Sequence, residues 1–118
     1  KMRIAAAGAA EAIISLADEM SWSWIAAEVQ LLDWSANRGQ RGRIDLLGWN
    51  ADAITVVDVK TARNIPSEAR PGDADQLRKY AGNLRVAAPQ HRFKARVLYV
   101  DHTGQTETYR VSVRKGSI

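Results

Sequence analysis

The chain has no cysteine. Disulfides, iron–sulfur clusters and thiolate zinc sites are therefore excluded, and a cytoplasmic location is the expectation. Two histidines, His91 and His102, are too few for a histidine-rich metal site. No apolar run reaches the roughly 20 residues of a membrane-spanning helix. The start, Lys1-Met2-Arg3 before a run of alanines, has the outline of a signal peptide. Glu11 interrupts its apolar part and the pattern continues as an amphipathic helix, so that reading is set aside. A first residue other than Met suggests a trimmed chain or a domain of something larger.

What is present fits one folded domain, residues 1–118, with 46% hydrophobic residues to build a core. The net charge is +4, and arginine, the side chain best shaped for phosphate, supplies most of the 17 basic residues. A basic surface is compatible with many soluble proteins; beside a local acidic pocket it suits a polyanion held against a cation.

Alanine content and the spacing of Ile4, Ala7, Glu11, Ile14, Ala17 and Met20 predict a helix over residues 4–27. Strands are expected at 29–34, 43–49 and 53–61, with a basic turn at 37–42 and a tight turn at 50–52. A loop at 62–72 leads to a helix through 76–84, capped by Asp73 or Asp75 and stopped by Pro89. Strands at 93–100 and 106–113 complete an α-β-β-β-α-β-β order. The expected class is α/β, a mixed central sheet flanked by helices.

Three groups of residues carry chemistry. Asp45 lies on one strand; Asp58 and Lys60 close the next, after the apolar run Ile54-Thr55-Val56-Val57. Side chains two apart on a strand share a face, so Asp58 and Lys60 project together and Asp45 can reach them. Burying such charges costs several kcal/mol unless they are compensated. Two carboxylates and an ammonium at one point are what a divalent metal and a phosphate require. The alternative is a structural ion pair beside an exposed strand end. Gln76 and Tyr80, four apart on one helical face, form the second group. They can hold a lysine and a phosphate, or simply pack and solvate. Glu11, among alanines and isoleucines, is the third, with Glu28 competing for its role. A carboxylate in apolar surroundings needs a metal, a bound water, a basic partner or solvent. Trp22, Trp24, Trp34 and Trp49 are mainly core candidates, although Trp22 or Trp24 could stack on a base.

The chain resembles the PD-(D/E)XK nucleases of the restriction-endonuclease-like superfamily, in particular their RecB-like branch. Arg43-Ile44-Asp45-Leu46-Leu47 is similar to the motif of the first metal aspartate, Val57-Asp58-Val59-Lys60-Thr61 to the Asp-x-Lys motif, and Gln76-Leu77-Arg78-Lys79-Tyr80 to the QxxxY motif of that branch. The branch's histidine before the sheet has no counterpart, and a glutamate on the first helix is closer to archaeal Holliday-junction resolvases. The resemblance implies a restriction-endonuclease-like core and hydrolysis of DNA phosphodiesters with Mg²⁺ or Mn²⁺. Asp45, Asp58 and the Val59 carbonyl would hold the ion, with Glu11 through water; Lys60 would act on water or phosphate, and Gln76 and Tyr80 would position it. It also implies DNA as partner, with a helicase or larger polypeptide, in repair, recombination or mobile-element processing. Two rivals are a nuclease toxin domain of a secreted effector, with an immunity protein as partner, and a non-catalytic nucleic-acid-binding module. Intact Asp45, Asp58 and Lys60 argue against the latter.

Overall fold

The computed structural model describes residues 2–33 and 40–113. Helix α1 (Met2–Met20) is followed by strands β1 (Trp24–Asp33), β2 (Gln40–Trp49) and β3 (Ala53–Thr61), helix α2 (Pro71–Ala87), and strands β4 (Arg92–Val100) and β5 (Thr106–Val111). The strands form one sheet in the order β1-β2-β3-β4-β5. Every neighbouring pair is antiparallel except β3 and β4, which are parallel and joined through α2. This is a mixed sheet flanked by helices, the expected class. Among the described residues no helix is long and apolar enough to cross a membrane.

The sheet is covered on both faces, and the alternation of β3 shows how. Val56 and Ala62 join a core with Ala74, Leu77 and Tyr80 of α2 and Val97 and Tyr99 of β4. Val57 and Val59 pack instead with Leu46 and Leu98 against Ala9, Ala12, Ile13, Leu16 and Met20 of α1. Even-numbered β3 side chains therefore face α2, and odd-numbered ones face α1.

Several expected boundaries move. The first helix stops at Met20, seven residues short of the expected end. Ser21 adopts φ 55°, and the Asn50 amide donates to the Met20 and Ser21 carbonyls that the helix leaves open. Residues 24–27, expected as helix, become strand because their backbone pairs with β2. The buried stripe of α1 is also rotated from the expected one. Ala7 is exposed and Ile14 is 64% exposed, while Ala9, Ala12, Ile13 and Leu16 pack. Helix α2 begins at Pro71 with Arg70 at its N-cap position, not at Asp73 or Asp75. Of the basic turn expected at 37–42, residues 40–42 are strand instead, paired with β1 at the start of β2; residues 37–39 lie outside the described residues, as does Trp34. Trp22 packs under α1; Trp24, 59% exposed, stacks on Trp49 at 6.3 Å.

Two glycines give the same substitution opposite signs. A Cβ on Gly48 would fall inside the Trp22 ring, which lies over this point of β2. Gly82 lies inside α2 with nothing near the place a Cβ would take. Gly48→Ala is expected to destabilise by about 1–3 kcal/mol through overpacking. Gly82→Ala should stabilise by about 0.5–1 kcal/mol, because alanine orders a helix at lower entropic cost. Urea melts of both variants check this, and a stabilised Gly48→Ala would mean that Trp22 does not sit where described.

Candidate active site

The site forms where two strands part. β2 and β3 pair from Trp49↔Ile54 to Leu46↔Val57, and there the pairing ends, although β3 runs on to Thr61. Continued by one step, the register would set Asp45 directly opposite Asp58. Like charges opposed across a ladder destabilise it. The strand is also irregular at this point. Ile44 and Leu47 both join the α2-side core, and Leu46 joins the α1 side, so the alternation slips by one between Ile44 and Leu46. On β1, the partners Ala27↔Leu46 and Val29↔Ile44 leave Glu28 beside this slip, at φ 53°.

Separation of the strands would leave the Val59 N–H without a ladder partner, and a buried main-chain donor needs one. Asp45 supplies it: its Oδ2 accepts from Val59 N at 2.8 Å. Asp58, which the alternation turns toward α2, is 5% exposed. Its Oδ2 is buried without a hydrogen bond. Lys60 Nζ lies 3.5 Å from that oxygen, an ion pair without hydrogen-bond geometry. Burial above all, then the neighbouring Asp45 carboxyl, pushes the Asp58 carboxyl up from 3.8 to about 7, against the pull of the Lys60 charge. A buried carboxylate oxygen with no donor is costly. Beside a second carboxylate, it is a place that a hard divalent cation fits.

Gln76 and Tyr80 meet each other: Gln76 Nε2 donates to the Tyr80 hydroxyl at 3.0 Å. Tyr80 is in the α2-side core with Val56, so the pair and Lys60 lie on one side of the sheet. No contact between them is among the described ones. Glu11 is not brought to the aspartates. It is exposed on α1, which covers the opposite face. Among the described residues no third Asp, Glu or His completes a metal-binding group. Glu28 is exposed and lies 3.9 Å from Arg43.

A second polar group escaped the sequence reading. Tyr99, fully buried, pairs with Lys60 in the β3–β4 register. Its hydroxyl donates to Asp73 Oδ2 at 2.6 Å and accepts from Arg70 N at 2.9 Å. Burial first, then Asp73, raises the phenol's pKa and holds it protonated. A lone tyrosine in the apolar run Val97-Leu98-Tyr99-Val100 was its one visible signal.

Two acids and a lysine thus converge where an apolar strand ends, on a sheet sandwiched by helices. The family model of the PD-(D/E)XK nuclease superfamily matches residues 2–116. The chain belongs to that superfamily. That superfamily generally comprises nucleases, and these generally use divalent metals. Nine chains of solved structures match. One is the crystal structure of SSO0001, with a TM-score of 0.57 and 16% identity over 89% of this chain and 48% of that one. At this identity it supports the fold alone. The present chain spans about half the length of that structure. A search of curated proteins found no match.

Proposed function

We propose that this chain is a divalent-metal-dependent DNA nuclease of the RecB-like branch. The observation that carries the reading is the buried, undonated Oδ2 of Asp58 beside Asp45 and Lys60, where β2 and β3 part. Asp45 and Asp58, with the Val59 carbonyl as a third oxygen, are the groups to hold Mg²⁺ or Mn²⁺. Bound there, such an ion supplies Lewis acidity toward the phosphate and lowers the pKa of water. Asp58 would hold such an ion as the carboxylate, without the proton that its burial favours. Lys60, on the same face, orients the attacking water or neutralises charge that develops on the phosphate. Gln76 and Tyr80, fixed on each other, position Lys60 and contact the DNA backbone. Glu11, placed on the other side of the sheet, is left out of this machinery.

The remaining parts of the proposal are cellular. The substrate partner is DNA, and the setting is repair, recombination or mobile-element processing in the cytoplasm. A larger polypeptide or a helicase would present the strand. The test is incubation of the protein with linear, nicked and closed-circular DNA, with Mg²⁺ or Mn²⁺ and with a chelator. Metal-dependent hydrolysis of at least one form is expected. Folded protein that binds DNA but cleaves none of the forms with either ion would make it a binding module instead.

A further inference from the structure

The segment between β3 and α2 has no regular structure, yet it is tied down at its start, middle and end. Ala62 N donates to the Val100 carbonyl at 3.0 Å. The Tyr109 hydroxyl donates to the Pro66 carbonyl at 2.6 Å. Arg70 N donates to the Tyr99 hydroxyl at 2.9 Å. Two tyrosines, packed on each other at 6.0 Å, thus bind a surface loop to the sheet. Ordering a loop costs roughly 1–2 kcal/mol of entropy per residue. Such tethering is best explained where something on the loop must be kept in place.

That something is the Arg70 side chain. Arg70 is exposed, and its Cζ stands 5.5 Å from the centroid of the Tyr99 ring. The ring seats the guanidinium from beneath, while the hydroxyl of the same ring fixes the Arg70 main chain. Asp73 accepts from that hydroxyl and so sets the direction of its proton. Tyr99 is one strand from Lys60, at the same level of the sheet and on the same face. Arg70 therefore presents a pre-oriented, planar, permanently charged group on the Lys60 side of the site. Such a fork matches two oxygens of one phosphate.

We propose that Arg70 is a substrate-positioning residue that grips a backbone phosphate next to the scissile one, with Tyr99 and Asp73 as the groups that hold it in place. This rests on the nuclease reading. It adds a contact that fixes where along the strand the cut falls. In steady-state cleavage, Arg70→Ala should raise KM at least about tenfold and change kcat less than about threefold. Arg70→Lys should recover part of the loss. Tyr99→Phe keeps the ring and removes only the hydroxyl, so its KM should rise by less.

The deciding measurement uses oligonucleotides with one phosphate at a time replaced by a neutral methylphosphonate. Wild-type protein should lose affinity at one position beside the cut, and Arg70→Ala should show no further loss there while remaining sensitive elsewhere. Equal additional loss at every position, or a fall in kcat with KM unchanged, overturns the proposal. The same series read by fluorescence anisotropy does not require cleavage. A protein that hydrolyses nothing but loses this one sensitivity in Arg70→Ala would sink the nuclease reading and keep the phosphate contact.

Discussion

Asp58→Asn should abolish cleavage, by roughly a thousandfold or more, and at the same time make the metal-free protein more stable. The two effects share one cause. The Asp58 carboxyl is buried next to Asp45, and its pKa stands at about 7 in place of 3.8. The folded protein thus holds a proton that the unfolded chain gives up near pH 4. Between those values the native state binds more protons, so the contribution of Asp58 to stability is greatest at low pH and falls as the pH rises to about 7. Above that, the folded protein carries the full cost of a buried charge, offset in part by Lys60. Asparagine has the same shape, never ionises, and its amide can donate to Asp45. Melts of the two proteins without metal should coincide near pH 4 and diverge up to pH 8, with the variant the more stable by up to a few kcal/mol. Metal should stabilise wild type and not Asp58→Asn, releasing a proton when it binds below pH 7. A variant that retains activity, or that is less stable at pH 8 than at pH 4 relative to wild type, would remove Asp58 from the metal site.

The aspartates and the lysine were readable because a strand has a simple period and tolerates charge poorly. An apolar run that ends in Asp-x-Lys puts both charges on one face, whatever packs against it. Their counterpart Asp45 followed from the short hairpin, whose register the structure extends to Leu46↔Val57. The divergence of the strands was not readable. It depends on an alternation slip at Ile44–Leu46 and on the left-handed backbone of Glu28 across from it, which no local pattern announces.

The first helix is legible in the sequence as a helix, but its buried face and its end at Met20 are not. An alanine-rich helix offers apolar residues on nearly every side. Ile14 and Leu16 are both plausible anchors, and only the sheet beneath chose Leu16. Glu11 then fell on the exposed side and lost its route to the aspartates. The early end at Met20 rests on Asn50, thirty residues away. Asp73 misled in a similar way. It has the composition and place of a helix cap, yet its partner is the hydroxyl of Tyr99, 26 residues on. Capping rules describe what a residue can do locally; they carry no information about a better donor from another strand.

Lys60→Ala is expected to separate chemistry from binding. Cleavage should fall roughly a hundred- to a thousandfold. Affinity for DNA in the presence of metal should change little, because a charged lysine is no metal ligand and Asp45 and Asp58 remain to hold the ion. The variant should also leave a mark on Asp58. Lys60 is the group that draws the Asp58 pKa down, against burial and Asp45. Without it the carboxyl should hold its proton to a still higher pH, and the pH at which metal binding reaches half its maximum should rise with it. Calorimetric metal titrations from pH 6 to 9 measure that midpoint directly. An upward shift together with retained DNA binding places Lys60 beside Asp58 in solution and assigns its role to the reaction. An unshifted midpoint with DNA binding lost as fully as activity would make Lys60 a plain phosphate anchor, electrostatically separate from the aspartates, and would leave the 3.5 Å ion pair without consequence for the site.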